Sequence, residues 1–181
     1  PQSTEQTNEF CESLIQQIDI LSNISTAFSA LTNMPAKNDE ELNFVAVIKR
    51  TLDIFNNHEI QFSTSHPQII AVFDKDQLGR IITNLVKNAI QATENEPFPS
   101  IELSITKTDN LITLKVKDNG IGIPQADKDK IFEPKFTTKT SGSGLGLAMV
   151  KNIVLSYGGK IYFTSQIQRG SEFTVELPIT Q

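Results

Sequence analysis

Asn84 and Asn88 lie four residues apart in a stretch where Leu78, Ile81, Ile82, Leu85, Val86, Ala89 and Ile90 recur at helical spacing, so both amides fall on one face of one helix. Asparagine is a poor residue inside a helix, and two of them ask for a reason. A neutral amide oxygen can ligate a hard cation such as Mg2+, whose other sites go to water and phosphate. Further on, Asp118-Asn119-Gly120-Ile121-Gly122-Ile123 follows an alternating stretch that reads as a strand. Its glycines permit a sharp turn and close approach of the backbone to a flat ligand. A carboxylate in such a niche can accept a hydrogen bond from an exocyclic amine. Third, Ser141-Gly142-Ser143-Gly144-Leu145-Gly146-Leu147 opens another helix, where unpaired N–H groups and the positive dipole end suit phosphate oxygens. Between Pro134 and Lys160 stand Lys135, Lys139, Lys151 and Lys160 and no carboxylate, in a chain of net charge -5; a local positive field there favours a polyphosphate.

Each feature alone has a plainer reading: exposed asparagines, a tight turn, solvated lysines. The two familiar phosphate motifs also fail. There is no Gly-x-x-x-x-Gly-Lys-Ser/Thr, and Leu147 stands where Gly-x-Gly-x-x-Gly needs its last glycine. Phe132 to Lys139, just before the glycines, does not read as a strand, so a Rossmann or P-loop arrangement is excluded.

The elements that must position these residues follow from periodicity and caps. Asn43 caps a helix from Phe44 to about Phe55, and Asp74 caps the asparagine-bearing helix, which runs to about Thr93. Short strands are expected near 60–64 and 69–73. Alternation over 100–107 and 111–117, joined by Asp109-Asn110, predicts a hairpin. A short helix is expected around 126–131 and a longer one over 144–157. Strands at 160–165 and 171–177 close the chain. Strand pairs with short links imply a mostly antiparallel sheet with helices on one face, a two-layer α+β domain. With 38% hydrophobic and 20% charged residues the chain is globular rather than disordered. The acidic balance gives no reason to expect nucleic acid as a partner. Cys11 stands alone, so it forms neither an internal disulfide nor a cysteine metal cluster.

Together the segments are far more specific than any one of them. Asn84-Leu85-Val86-Lys87-Asn88-Ala89, Asp118 to Gly122, Phe132 to Phe136, Gly142 to Leu147 and Gly170-Ser171-Glu172-Phe173 occur in that order. They resemble the asparagine, glycine and phenylalanine boxes of the histidine-kinase catalytic domain, in the superfamily shared with gyrase, Hsp90 and MutL ATPases. The resemblance covers about Asn43 to Pro178. It implies a two-layer α/β sandwich of the Bergerat ATPase type, holding ATP against the Asn84/Asn88 helix. On this likeness Asn88 ligates Mg2+ and Asp118 accepts from the adenine amine. Gly120 and Gly122 shape the base pocket, and Ile123, Ile131 and Phe132 line it. Gly142, Ser143, Gly144, Leu145, Gly146 and Leu147 hold phosphates, with Lys87 and Lys139 as charge partners. Asn84 and Lys139 form the catalytic set, and Ser171 makes a polar contact below the base. Gln91 departs from the pattern, standing where these kinases often carry a phosphate-reaching lysine.

The first segment carries Phe10, Leu14, Ile18, Leu21, Ile24, Phe28 and Leu31 at a mean step of 3.5, the seam period of a coiled coil. One such helix cannot bury its own seam and needs a partner. Residues 14–35 resemble the second helix of the dimerisation and phosphotransfer hairpin of nitrogen-regulatory sensor kinases, and 33–41 read as a linker. The expected organisation is residues 1–35 as part of that hairpin and 36–181 as the catalytic domain. The phosphoacceptor helix is expected to be missing, since His58 and His66 both lie near strands; this chain should then bind ATP without autophosphorylating. The implied partners are a second copy, through the first helix, and a response-regulator receiver domain. A cytoplasmic location is implied, with any membrane contact made through segments outside this chain. Two alternatives stand beside it: an ATPase of the same superfamily, and a nucleotide-sensing or interaction module without catalysis. The absence of a carboxylate between Asp76 and Glu94 counts against hydrolysis.

Overall fold

The computed structural model describes residues 37–134, 136 and 144–179. The coiled-coil-like helix expected over the first 35 residues lies outside them. Within the described chain, β1 (Asp39–Asn43) leads into α1 (Phe44–Leu52) and a 3-10 turn at Asp53–Phe55. Next come β2 (Ile60–Thr64), β3 (Ile70–Asp74), α2 (Lys75–Ala92), β4 (Ile101–Lys107) and β5 (Leu111–Asp118). A second 3-10 turn (Gln125–Asp127) precedes α3 (Gly146–Ser156), and β6 (Lys160–Gln166) and β7 (Gly170–Pro178) finish the fold.

Five strands form one mixed sheet in the order β2-β4-β5-β7-β6; β2 pairs with β4 in parallel and the other pairs are antiparallel. The parallel pair needs a long crossover, which α2 supplies. Residues directly opposite in a sheet share a face, so register defines the core layer. Leu103, Val116 and Phe173 form one row across three strands, and Ile105, Leu114 and Val175 form the next. All six are buried, and they join Leu78, Ile81, Ile82, Leu85, Val86 and Ala89 of α2 and Val150, Ile153 and Val154 of α3 in one core. The opposite face carries Glu102, Lys117 and Thr164, all exposed. This is the expected two-layer α+β architecture with helices on one face.

Both predicted caps form. Asn43 Oδ1 accepts from Val45 N–H at 3.1 Å and also from Ile69 N–H at 3.3 Å, starting α1 while holding the chain that enters β3. Asp74 Oδ1 accepts from the N–H groups of Asp76 (2.9 Å) and Gln77 (3.0 Å), which starts α2.

Four expectations need correction. The end of the linker expected over 33–41 is a strand: Asp39, Glu40 and Glu41 pair with Asp74, Phe73 and Val72 through backbone alone, their side chains exposed. β2 and β3 do not pair with each other; β3 joins β1 in a separate two-stranded antiparallel sheet. The helix expected around 126–131 is a series of tight turns, with Asp127 N–H bonded to Pro124 O, Lys130 to Asp127 O and Glu133 to Lys130 O. Each bond spans three residues rather than four, and an exposed Ala126 gives no apolar stripe to hold a longer helix. Finally α3 starts at Gly146, because Gly144 has φ +65, outside the right-handed helical region.

Candidate functional site

At one end of the sheet the apolar rows give way to a polar one. Ser165 pairs with Ser171, Ser171 with Asp118, and Asp118 with Ile101, so these side chains line up on the helix-covered face, one step beyond the Phe163, Phe173, Val116 and Leu103 row. Asp118 is only 4% exposed, and its Oδ1 accepts from Gly120 N–H at 2.9 Å and Ser171 N–H at 3.2 Å. A buried carboxylate is tolerated where such donors meet it. Sequence alternation places Asp118 here: continuing the two-residue period from Ile112, Leu114 and Val116 turns it inward.

The loop after Asp118 lies against the end of α2 on one side and the β6–β7 turn on the other. Ile121 N–H donates to Ala92 O at 3.0 Å, and Gln168 N–H donates to Ile121 O at 2.9 Å. A Cβ at Gly120 would lie 2.2 Å from Ala92 O, and one at Gly122, where φ is +70, would lie 2.2 Å from Gln166 O. Neither position admits a side chain without moving backbone. Ile123 N–H is held by Ser165 Oγ at 2.8 Å, and Lys128 Nζ donates to Ser165 O at 2.8 Å. Asn119 closes the loop's other side, accepting from Ser100 N–H at 2.8 Å and donating to Phe98 O at 2.8 Å.

Along α2 the two asparagines differ. Asn84 Nδ2 donates to Arg80 O at 2.8 Å, which turns its Oδ1 toward the start of α3. A Cβ at Gly146 would sit 2.6 Å from that oxygen. Asn88, one turn closer to the Asp118 loop, is half-buried, and its amide makes no hydrogen bond within the described structure. No side chain caps α3 among the described residues, in contrast to α1 and α2. Leu145, Gly146 and Leu147 are half-buried around this uncapped start, and Lys87 is exposed beside Asn88.

Ile131 is buried in the core, with Ile123 and Phe132 partly buried against it. Phe132 meets Phe163 edge-on at 5.9 Å, Phe163 stacks on Phe173, and Lys151 Nζ lies 5.7 Å from the Phe132 ring centre. Lys139, Gly142 and Ser143 lie outside the described residues. The structure thus brings Asn84 to Gly146, and Asp118, Gly120, Gly122, Ile123 and Ser171 to one another. Lys87 makes no described contact. Among the described residues no cluster of three or more His, Cys, Asp or Glu side chains could hold a metal ion; a hard cation here would draw on amide oxygens, water and ligand phosphates. That donor set suits Mg2+, and Asn88 offers such an oxygen.

Two residues escaped the sequence reading, Ser165 and Lys128. Ser165 had a signal: with Ile161 and Phe163 it keeps the inward period of β6, making it a polar residue at a core position. Lys128 had none, because its partner is a backbone carbonyl 37 residues away.

At their other ends the same helices meet an anchor. Asp74 Oδ2 accepts from Asn38 N–H at 2.9 Å, and Asp74 N–H donates to Tyr157 Oη at 3.2 Å. Tyr157 in turn donates to Asp39 Oδ1 and stacks on Phe73 with ring centres 3.8 Å apart. Lys37 Nζ donates to Ser156 O at 2.6 Å and lies 4.0 Å from the Tyr157 ring centre. Burial pushes the Asp74 carboxyl up, but the N–H groups of Gln77, Asn38 and Asp76 and the charge of Arg80 together leave it below its ordinary 3.8. Burial first, and then the bond to Asp39, raise the Tyr157 phenol above its ordinary 10.0.

Residues 73–181 match the family described as histidine kinase-, DNA gyrase B-, and HSP90-like ATPase, and the chain belongs to it. Within that family its fold is that of the histidine-kinase catalytic domain. The chain is 38% identical to sporulation kinase D of Bacillus subtilis over 67% of this chain and 24% of that protein. It is 41% identical to the sensor histidine kinase ZraS of Escherichia coli over 68% of this chain and 27% of that one. It therefore spans about a quarter of the length of those relatives in the matched region. Among solved structures, the catalytic domain of the histidine kinase ThkA is similar at 32% identity and TM-score 0.71, covering 79% of this chain and 97% of that one. ThkA in complex with the response regulator protein TrrA is similar at 26% identity and TM-score 0.75, covering 96% of this chain and 50% of that one. No described helix is long and apolar enough to cross a membrane.

Proposed function

We propose that this domain binds Mg2+-ATP and, in a sensor histidine kinase, places the γ-phosphoryl for transfer to a histidine on a dimerisation helix. The observation that carries the reading is the meeting of three parts: a buried carboxylate at the end of β5, an asparagine face on α2, and beside Asn84 a helix start that no described side chain caps. Asp118 recognises the base amine, with Gly120, Gly122, Ile123, Phe132 and Ser171 around the ring and Ile131 supporting them. Residues 144–147 present backbone N–H groups to phosphate oxygens, where a side-chain cap would compete. Asn88 holds Mg2+, which supplies positive charge against the phosphates. Asn84 belongs to the transfer machinery, oriented by its own helix through Arg80 O. Lys87, and Lys139, Gly142 and Ser143 on the preceding segment, complete the phosphate side. In such a transfer the protein's contribution is chiefly positioning and charge stabilisation.

In the whole protein, residues 1–35 are part of a dimerisation and phosphotransfer hairpin and 36–181 the catalytic domain. The likeness to the ThkA–TrrA complex supports a response-regulator receiver as the onward acceptor. A homodimer through the first helix, a cytoplasmic setting and membrane contact only through other segments belong to the same reading. It is tested by calorimetry of ATP binding with and without Mg2+, on this chain and its Asn88→Ala variant. Binding should strengthen with Mg2+ and lose most of that dependence in the variant. Absence of binding by the wild-type chain would refute the reading and favour an interaction module.

A further inference from the structure

We propose that Ser165 is a positioning residue for nucleotide binding: through its hydroxyl and its carbonyl it pins two points of the base-side loop to β6. The proposal rests on the reading of that loop as the base niche. Ser165 Oγ accepts from Ile123 N–H at 2.8 Å and lies 3.1 Å from Gly170 O and 2.9 Å from Ser171 Oγ. A serine hydroxyl has one proton to donate and two lone pairs to accept with. Donation to Gly170 O, with acceptance from Ile123 N–H and Ser171 Oγ, uses that capacity in full. Its carbonyl meanwhile accepts from Lys128 Nζ, five residues past Ile123. Two points of the loop are thus tied to one residue, which also braces Ser171 next to Asp118. Ser165 needs no contact with a ligand to act: it fixes where the backbone around Ile123 stands when the base arrives. Without it the loop has to be ordered at the expense of binding.

The test uses the full chain with ATP and ADP, each with Mg2+, at a temperature where every variant is folded. Ser165→Ala should weaken both nucleotides by the same factor, about two- to tenfold, the worth of one to two hydrogen bonds. The Ile123 amide should exchange faster with solvent. Ser165→Thr, which keeps the oxygen, should restore both. Lys128→Met removes the second pin from a partly exposed position with little risk to folding, and should weaken both nucleotides by a smaller factor. A lower melting temperature with unchanged affinity would make Ser165 merely structural and overturn the proposal. So would a loss confined to ATP, which would place the effect at the phosphates, or a threonine variant no better than alanine. If the wild-type chain binds no nucleotide, the functional reading fails instead, and Ile123 exchange still decides whether the pin exists.

Discussion

α2 and α3 run antiparallel, and their two ends are built on opposite plans. At the Asp74 and Tyr157 end, one carboxylate caps α2 and holds Asn38, one phenol links Asp74 to Asp39, and Lys37 covers the last turn of α3. The exception there is Gln77 Oε1, the one buried side-chain atom without a partner among the described residues. At the Asn84 and Gly146 end, no described side chain caps α3, and the Asn88 side chain makes no hydrogen bond among the described residues. Among the described residues, side-chain hydrogen bonds tie the first end to the fold, whereas at the second the Asn84 amide is held by Arg80 O and no side chain caps α3. Side-chain variants at the first should therefore move stability and leave nucleotide affinity alone, while variants of the asparagines at the second should do the reverse; the backbone beneath both ends is structural.

The largest effect should come from the backbone that supports the open end. Gly170 has φ +86, and a Cβ there would fall 1.9 Å from Asp118 O. Gly170→Ala should cost at least about 3 kcal/mol of stability, combining left-handed strain with displacement of β5 from β7. Gly158 is the control: its φ is +69, yet a Cβ would meet only Pro178 Cγ at 3.8 Å. Gly158→Ala should cost about 1–2 kcal/mol, the left-handed strain alone. Equal losses in denaturant titration would show that approach distance is irrelevant at Gly170.

Next is Asp118→Ala. It removes the acceptor for the N–H groups of Gly120 and Ser171 and, on the proposed reading, for the base amine. Loss of a buried acceptor should weaken ATP binding by roughly 1.5–3 kcal/mol. Unchanged affinity by calorimetry would sink the pocket assignment.

What the sequence made legible follows the same division. Asp74 and α2 could be read because cap, first-turn charge and apolar period all agree over eighteen residues. Asp118 was readable from strand alternation. β1 was not, since Asp39, Glu40 and Glu41 are exposed and contribute only backbone to the pairing; polar side chains carry no trace of a ladder. The separation of β2 from β3 was hidden for a related reason, as a short link between two strands does not say which neighbour each will choose. Ser165 and Lys128 belong to contacts made by fold closure, visible only once β6 lies beside the loop. The glycine pattern gave the position of the α3 start but not its first residue, which the left-handed Gly144 decides.

The anchored end yields a pH-dependent test. Asp74→Ala removes a cap serving two N–H groups and the bond from Asn38, and should cost about 1–2 kcal/mol with ATP affinity unchanged. The folded carboxyl titrates below 3.8, so its contribution is complete above that value and is lost as pH falls through the lower folded value. The gap between wild type and Asp74→Ala should hold at about pH 6 and narrow below about pH 4. A gap that widens on acidification would mean that the carboxylate is not the stabilising form. A change in ATP affinity would break the division between the two ends.

The smallest effect separates the phenol's oxygen from its ring. Tyr157→Phe keeps the stack on Phe73 and the face that Lys37 covers, while removing the acceptor for Asp74 N–H and the donor to Asp39. The expected loss is about 1 kcal/mol, the net worth of ordinary hydrogen bonds. Because folding raises the phenol above its ordinary 10.0, the contribution is complete below that value and is lost as pH rises through the folded value. Wild type should thus lose its margin over Tyr157→Phe in alkali, the mirror image of Asp74 in acid. Nucleotide affinity at neutral pH should be the same in both. If Tyr157→Phe instead weakens ATP binding as much as it weakens the fold, the anchor reaches along α3 to Gly146, and the two ends are one coupled unit rather than two.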